Sequence, residues 1–357
     1  MSQTFRILLI TSTVEPAFGG WGRYSFDLKS ALEKENIEVT VHTIKSPLSF
    51  KRHFFLGWWK AIRMFREYKD NKFDVIHCVV EPYAFLTSFL AKLKNTKYII
   101  SAHGTYSILF LADPAYHLFQ KYAYSNASKI IAVSSYTSRR LAQYVNLNNV
   151  VVIPSGLKYT EKGVVKNKIK YPIILSVGGT KIRKGYHLVI KALAKIKDSL
   201  GEFEYYIVGD EHDVSYAKKL RNLVKESGLG ANVIMTGFIS AEEKEKLYEK
   251  ADIFILTPIS EGLHFEGFGL VYLEAGAYGI PVIGSLDTGA EDAIKDGETG
   301  FLVPQNDPDA LAKAILEILR KRDLAEKMSA GGVKWSREHD WENVIPKYIE
   351  IYKQVAR

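Results

Sequence analysis

The sequence predicts an α/β protein made of two doubly wound, Rossmann-like domains, and three observations support this fold class. Strand-like apolar runs alternate with amphipathic helical patterns, as in parallel sheets covered by helices on both faces. The 357 residues exceed what one hydrophobic core usually serves. Pro154-Ser155-Gly156 and the polar, lysine-rich segment 158–170 interrupt the pattern. We therefore expect domains over 1–157 and 171–339, with the carboxyl ends of both sheets facing a shared cleft.

Apolar runs mark the strands of both domains. In the first half they are Phe5–Thr11, Val39–Ile44, Asp74–Val79, Tyr98–Ala102, Lys129–Val133 and Val150–Ile153. In the second half they are Pro172–Val177, Phe203–Val208, Val233–Thr236, Ile253–Leu256, Pro281–Gly284 and Gly300–Val303. Helical patterns such as Gly185–Lys197 and Ala241–Lys250 separate most of these runs. Each domain is therefore expected to contain a parallel sheet.

The tail Asp340–Val355 has the pattern of an amphipathic helix and makes 340–357 a third segment. Its apolar side consists of Trp341, Val344, Ile345, Tyr348, Ile351 and Tyr352. Because the helix follows the last predicted strand, two placements are open. It closes the second domain, or it packs back on the first.

Composition indicates a globular protein, with 47% apolar and 25% charged residues. Cys78 is the only cysteine, which excludes an intrachain disulfide and a thiolate metal cluster and favours a reducing compartment. The N-terminus lacks a signal-peptide pattern, and no apolar stretch approaches the roughly 20 residues that cross a bilayer. We expect a cytoplasmic protein, either free or peripheral on the inner face of the membrane. The net charge of +8 favours an acidic partner such as nucleotide phosphate or anionic lipid.

The most informative segment is 260–275, which follows a predicted strand and opens a predicted helix. Gly267 and Gly269 leave the backbone unobstructed, and a helix that begins near Leu270 offers unpaired amides and a positive dipole end to a phosphate. Glu266 in the preceding loop can accept hydrogen bonds from sugar hydroxyls, and Glu274, a turn inside the helix, can face a ribose diol. Two isolated glutamates would be read as solvated. Their position after a strand of an α/β sheet favours a ligand site.

This segment resembles a known family. Glu266-Gly267-Phe268-Gly269-Leu270 through Glu274-Ala275-Gly276-Ala277 looks like the Glu-x7-Glu signature of glycosyltransferase family 4, retaining enzymes with the GT-B fold. The resemblance covers nearly the whole chain. Further matching segments are Gly19-Gly20, His103, Ile153-Pro154-Ser155-Gly156, Lys184-Gly185 and Asp296-Gly297-Glu298-Thr299-Gly300.

The resemblance implies a role for each matching residue. Glu266 would hold hydroxyls of the donor sugar, and Glu274 would bind the ribose. His103 would approach the donor sugar near the reacting carbon, and Gly19 and Gly20 would approach a phosphate or sugar. The amides presented to sugar and diphosphate would come from Gly267, Phe268, Gly269, Leu270 and Val271.

Cations after a strand of the second domain suit a leaving diphosphate, on whose oxygens negative charge develops. Lys181, Arg183 and Lys184 lie in such a basic loop, which is otherwise typical of a solvated face. The family pattern supports Lys184. It also exposes a departure, because many members have arginine where this chain has Gly179, and we assign the second cation to Arg183.

No cofactor and no metal are expected. The loop 18–23 lacks the Gly-x-Gly-x-x-Gly spacing of a dinucleotide site, and its glycines fit either a tight turn or close approach to a ligand. Asp307-Pro308-Asp309 fits a helix cap better than a metal site. We therefore predict metal-independent transfer. The resemblance implies front-face attack, in which the leaving phosphate helps to deprotonate the acceptor.

The segment 50–66 mixes cations with large aromatics and contains no acidic residue. Two interpretations are open: an interfacial segment on an anionic membrane, or a helix that buries its rings on the sheet. The first would make a lipid or lipid-linked glycan the acceptor, while a soluble carbohydrate fits the second.

Two other functions compete with transfer. A nucleotide-sugar epimerase of the same architecture would also bind a nucleotide sugar, but it would need no acceptor. A non-catalytic nucleic-acid or membrane binder would explain the charge, but not the two glutamates around a glycine-bounded helix start. We therefore expect a nucleotide-sugar donor and no nucleic-acid partner.

Overall fold

The computed structural model describes residues 5–14, 19–44, 62–160, 171–211 and 213–357. They fold into two compact units. Unit 1 comprises Met1–Lys158 and Asp340–Arg357, and unit 2 comprises Tyr159–His339. Most of the expected linker, at 161–170, and most of the basic aromatic segment, at 50–61, lie outside the described residues.

Unit 1 contains a parallel six-stranded sheet in the order β2-β1-β3-β4-β5-β6. Its strands are β1 (Arg6–Thr11), β2 (Glu38–Thr43), β3 (Val75–Cys78), β4 (Lys97–Ala102), β5 (Lys129–Ala132) and β6 (Val150–Val152). The central strands are buried, as expected of a parallel sheet with both faces covered.

The helices of unit 1 include the C-terminal one. They are α1 (Gly19–Lys34), α2 (helical residues 62–67), α3 (Ala84–Lys94), α4 (Thr105–Ala112), α5 (His117–Asn126), α6 (Ser135–Leu141) and α14 (Trp341–Ala356). A 3-10 turn, Glu81–Tyr83, precedes α3.

Unit 2 repeats this plan with the order β12-β11-β10-β7-β8-β9, again all parallel. Its strands are β7 (Ile173–Val177), β8 (Glu204–Val208), β9 (Val233–Gly237), β10 (Ile253–Ile255), β11 (Val282–Ser285) and β12 (Gly300–Val303). Its helices are α7 (Tyr186–Leu200), α8 (Val214–Glu226), α9 (Ala241–Lys250), α10 (Leu270–Ala277), α11 (Ala290–Ala293), α12 (Pro308–Arg320) and α13 (Arg322–Glu338).

The predicted α/β fold class is confirmed, and every strand end lies within about one residue of its expected position. One expectation at the start of the chain was wrong. Gly19 and Gly20 were placed in a loop before a helix, whereas they form the first turn of α1. Because glycine is unfavourable inside helices, the two glycines argue in the sequence against a helix that begins there.

Helix α14 belongs to unit 1, which decides between the two placements that the sequence left open. Its predicted apolar side is buried together with Ile7, Leu9 and Leu28 in one core cluster. Two tyrosines of the helix add hydrogen bonds inside this core. The Tyr348 hydroxyl lies 2.6 Å from that of Tyr24, and the Tyr352 hydroxyl lies 2.7 Å from Nδ1 of His77.

The described helices include none that is long and apolar enough to cross a membrane.

The predicted cap at Asp307 is confirmed. Its carboxylate accepts hydrogen bonds from the amides of Asp309 and Ala310, and Pro308 is the first residue of α12. Asp307 therefore serves the helix start.

Candidate active site

The strand order of unit 2 reverses at β7, which has β8 on one side and β10 on the other. At such a switch point the loops after the two adjacent strands diverge and leave a crevice where α/β sheets bind ligands. The loop after β7 carries the predicted cations, and the loop after β10 carries Glu266. The sheet topology therefore brings both predicted groups to one edge.

The cations lie on a short 3-10 turn, Ile182–Lys184, which ends at Gly185 with φ of +72°. The carbonyl oxygen of Arg183 accepts the amide of Ile259 at 2.8 Å, which ties the turn to the loop after β10. A side chain at Gly185 would overlap the carbonyl of Thr257. Glycine is therefore required here by both backbone angle and close approach.

Arg183 and Lys184 both donate to Oε2 of Glu266, at 2.8 Å and 2.6 Å. The side chains of Lys184 and Glu266 are each 12% exposed. Burial by itself would raise the pKa of Glu266, but the two cations outweigh it and lower that pKa to about 2. Burial also lowers the pKa of Lys184, against the opposing effect of Glu266. The carboxylate is thus ionised and held by two charge-assisted hydrogen bonds.

Glu266 is also fixed through its backbone, because its carbonyl accepts the amide of Gly289 at 2.9 Å. Three residues later lies Gly269, the N-cap of α10, whose φ is +84°. Within the described part of the chain, the amides of Leu270 and Val271 have no hydrogen-bond acceptor. The start of α10 therefore presents free donors and a positive dipole end beside the Glu266 cluster, which suits an anion.

Glu274 lies one turn inside α10 and is half-buried. Its Oε2 accepts the Tyr248 hydroxyl at 3.1 Å, and Nζ of Lys244 lies 3.6 Å away. Tyr248 is stacked on Tyr278, with 5.2 Å between ring centroids. Tyr248, itself held by this stacking, thus orients Glu274, the residue predicted to bind a ribose.

Lys181 is the exposed member of the basic turn. Its pKa is lowered by burial of part of the side chain and by Arg183. It makes no direct contact with Glu266 among the described ion pairs. The structure therefore brings Arg183 and Lys184 to Glu266 and leaves Lys181 at the rim.

In unit 1, His103 follows β4 as predicted and is partly buried. Its Nε2 lies 2.9 Å from the Val79 carbonyl oxygen, which can only accept, so Nε2 carries the proton. The ring of Tyr24 meets the imidazole edge to face at 4.4 Å. Burial lowers the pKa of His103 to about 4, so the imidazole is neutral at pH 7 and Nδ1 is a hydrogen-bond acceptor.

Gly20 is the second residue of α1, and a Cβ placed there would meet no atom within 4 Å. Packing within the described residues therefore gives no reason for glycine at this position. That Gly20 approaches a phosphate or sugar stays a prediction.

The described residues contain no group of three or more His, Cys, Asp or Glu side chains that could hold a metal ion.

Sequence reasoning missed two features of the site: the pairing of both cations with Glu266, and the hydrogen bond from Tyr248 to Glu274. The first joins residues 82 and 83 positions apart. No local pattern marks either contact.

Comparisons with known proteins identify related families. Residues 158–335 match the family described as Glycosyl transferases group 1, and residues 18–160 match Glycosyltransferase Family 4. An uncharacterized glycosyltransferase of Methanocaldococcus jannaschii is 27% identical over 329 residues, which are 91% of this chain and 87% of that protein.

A GDP-mannose-dependent alpha-(1-6)-phosphatidylinositol monomannoside mannosyltransferase of Mycolicibacterium smegmatis is 31% identical over 173 residues. That stretch is 48% of this chain and 44% of the mannosyltransferase. Among solved structures, a sucrose-phosphate synthase of Thermosynechococcus elongatus superposes with a TM-score of 0.83 at 23% identity and covers 98% of both chains. At that identity the likeness bears on the fold alone.

Proposed function

We propose a specific activity for this chain, which belongs to the glycosyltransferases of group 1 and family 4 and has the GT-B fold. Unit 2 binds a nucleoside diphosphate sugar, and unit 1 takes the acceptor. The enzyme transfers the sugar to an acceptor hydroxyl with retention of the anomeric configuration. The two sequence relatives named above are described as glycosyltransferases, which favours transfer over the epimerase alternative.

The observation that carries this proposal is the Arg183–Lys184–Glu266 cluster beside the free amides of Leu270 and Val271. The amides and the two cations match the charge of a diphosphate, and the carboxylate matches sugar hydroxyls. A nucleoside diphosphate sugar is the ligand that presents both groups next to each other. Glu274 then faces the ribose.

The chemistry assigned to the cluster follows from charge. When the acceptor oxygen bonds to the anomeric carbon, the bond from that carbon to the diphosphate oxygen breaks, and that oxygen gains negative charge. Arg183 and Lys184 stabilise this charge where it develops. In front-face attack the departing phosphate takes the proton of the acceptor hydroxyl, so nucleoside diphosphate and the retained glycoside are the products.

We propose that this transfer needs no metal ion. Arg183 and Lys184 already lie at the proposed diphosphate position, and Asp307, the first residue of the one Asp-x-Asp pair in the sequence, caps α12. His103 is proposed to contact the donor sugar. Its neutral imidazole has Nδ1 available to accept a hydrogen bond from a hydroxyl.

A lipid or lipid-linked glycan is the proposed acceptor class. The mannosyltransferase named above acts, by its name, on a phosphatidylinositol mannoside. In the described end of the basic aromatic segment, Met64 is buried while Arg63 and Arg66 are exposed, so cations are available to an anionic surface. A soluble carbohydrate acceptor is the alternative.

The test begins with donor binding. A panel of nucleoside diphosphates and their sugars is screened by thermal shift, because a ligand that binds only the folded state raises the unfolding temperature. The stabilising donor is then incubated with and without acceptors, and the anomeric configuration of the product is determined by NMR. We expect a glycoside with the donor's configuration, formed only with acceptor. An altered sugar without acceptor, or an inverted product, would contradict the proposal.

A further inference from the structure

Glu81 is a fully buried carboxyl group that the proposed site does not use. It follows β3, whose neighbours in the sheet of unit 1 are β1 and β4. The order of this sheet reverses between β1 and β3, so Glu81 lies at the switch point of unit 1. His103 follows β4 on the adjacent strand. The topology thus puts Glu81 beside the one predicted catalytic residue of this unit.

The contacts of Glu81 join three elements. Its side-chain Oε1 accepts a hydrogen bond from the backbone amide of His103 at 2.6 Å. Its backbone carbonyl accepts one from Nε2 of Gln120 at 2.8 Å. The indole of Trp21, in the first turn of α1, faces the same carboxyl. Oε2 is buried and has no hydrogen-bond partner among the described residues. A buried polar atom left unpaired in this way calls for an explanation.

An ionised carboxylate would be costly here. No described cation pairs with Glu81, and an isolated buried charge is strongly unfavourable. The titratable groups that face it are His103 from the loop after β4, Tyr24 from α1, Cys78 from β3 and Tyr124 from α5.

None of these groups supplies a compensating charge. Burial lowers the pKa of His103 to about 4 and raises those of Tyr24 and Cys78 to about 12, so all are neutral at pH 7. Burial raises the pKa of Glu81 itself to about 8, despite the opposing hydrogen bond from the His103 amide. At neutral pH the carboxyl therefore carries a proton.

His103 is held at both ends by the chain segment 79–81. Its amide donates to the Glu81 carboxyl, and its Nε2 donates to the Val79 carbonyl. The second bond fixes the plane of the imidazole, and Nδ1 has no hydrogen-bond partner among the described residues. The first fixes the backbone from which the imidazole extends.

We propose that Glu81 is a positioning residue for glycosyl transfer, which keeps the backbone of His103 in place so that its imidazole meets the donor sugar. This inference rests on the proposed function. Glu81 itself is too deeply buried to touch substrate. It acts through His103.

The test compares Glu81→Gln with Glu81→Ala. Glutamine keeps a carbonyl oxygen for the His103 amide and is neutral, as the protonated acid is. We expect kcat of Glu81→Gln within about threefold of wild type at pH 7, and a loss of about 10- to 100-fold in Glu81→Ala, since small displacements of a catalytic group cost that much. The donor KM should change little in either variant.

The pH profile separates positioning from general structural support. Above pH 8 the wild-type carboxyl loses its proton, and a buried anion then disturbs the loop, so kcat should fall. Glu81→Gln has no such proton and should hold its kcat through pH 9. Glu35→Gln, an exposed change in the same unit, serves as the matched control and should follow wild type.

Amide hydrogen exchange supplies a readout without turnover. In the free protein, Glu81→Ala should speed exchange of the His103 amide by at least about tenfold, because its acceptor is gone. Unchanged exchange overturns the inference, as does a Glu81→Gln profile that still falls above pH 8. If wild type transfers no sugar at all, the proposed function fails while the exchange result still decides the positioning role.

Discussion

Glu266 holds two cations with one oxygen atom, and this pairing explains how a buried carboxylate is ionised before any ligand binds. Each partner would be unfavourable alone at this degree of burial, and together they satisfy one another. Under the proposed function, the charges that bind the donor are therefore already present in the protein. We propose that donor binding exchanges partners within the cluster and recruits no charges from solvent, which keeps reorganisation small.

Replacing Glu266 with glutamine should abolish turnover and spare nucleotide affinity. Glutamine keeps the size of the side chain but removes the charge that accepts sugar hydroxyls. We expect kcat to fall at least about 100-fold, as when one group that stabilises a transition state is lost. The dissociation constant of the nucleoside diphosphate should stay within about threefold. Steady-state kinetics and calorimetric titration measure the two quantities.

Glu261→Gln is the matched control, because Glu261 lies in the same loop and is exposed. Acid unfolding adds a second check. The pKa of Glu266 is lowered to about 2 from the ordinary 4.5, so its stabilisation is present above pH 4.5 and is lost as pH falls through 2. Glu266→Gln should show a shallower loss of stability over that window. Unchanged turnover in Glu266→Gln would remove this residue from the site.

Sequence reasoning could identify the residues of this site but not their contacts. Glu266 and Lys184 lie in recognisable motifs, so their chemistry could be predicted. Their pairing depends on β7 and β10 being neighbours in the sheet, which no local pattern specifies. Glu81 was missed for a similar reason, since its carboxyl accepts the amide of a residue 22 positions away.

At the scale of elements, strands and helices differed in how well they could be predicted. Buried parallel strands are continuous apolar runs, so their bounds are visible in sequence. Helix α1 begins at Gly19, where glycine would be expected to prevent a helix, and only tertiary packing reveals its start. The side of α14 could be predicted, but its partner could not, because an apolar stripe fits either sheet.

Helix α10 should depend on glycine at its N-cap. Gly269 has φ of +84°, and a Cβ there would meet the ring of Tyr272. That ring cannot move aside easily, because it is buried and its hydroxyl donates to the Leu256 carbonyl at 2.6 Å. We expect Gly269→Ala to lower the unfolding temperature by more than about 6 °C and to weaken nucleotide binding. Calorimetry and titration check this.

Gly297→Ala separates backbone strain from steric overlap. Gly297 also has a left-handed φ, +73°, but a Cβ there meets no atom within 4 Å. This variant should lose only about 1 kcal/mol, or roughly 2 to 4 °C, and should bind nucleotide as wild type does. Equal effects of the two substitutions would show that overlap with Tyr272 does not govern the start of α10.

At the scale of the whole molecule, the chain builds two sheets of the same kind and gives each its own switch point. Its last helix returns to unit 1, so residues 341–356 complete a core that residues 6–152 begin. The core of unit 1 is therefore incomplete until residues 341–356 have been made. Each unit carries a buried carboxyl at its switch point, ionised in unit 2 and protonated in unit 1, because only Glu266 has cations beside it.

If the acceptor is bound at a membrane, only part of the net charge of +8, on a few cations near the lipid, should attract the protein to an anionic surface. Arg63 and Arg66 are exposed in the described end of the basic aromatic segment. Each cation near an anionic surface contributes about 1 kcal/mol. We therefore expect the double substitution Arg63→Gln and Arg66→Gln to weaken binding to vesicles of phosphatidylglycerol and phosphatidylcholine by about tenfold or more at 0.1 M salt. Sedimentation with vesicles measures this.

Lys218→Gln with Lys219→Gln is the charge-matched control, since both lysines are exposed on α8 of unit 2 and the same two charges are removed. If the membrane meets the segment 50–66, this control should bind vesicles nearly as wild type does. Equal weakening by the two double variants would mean that total charge alone drives adsorption. Wild-type protein that does not sediment with anionic vesicles would favour a soluble acceptor, because the exposed arginines would then face only water.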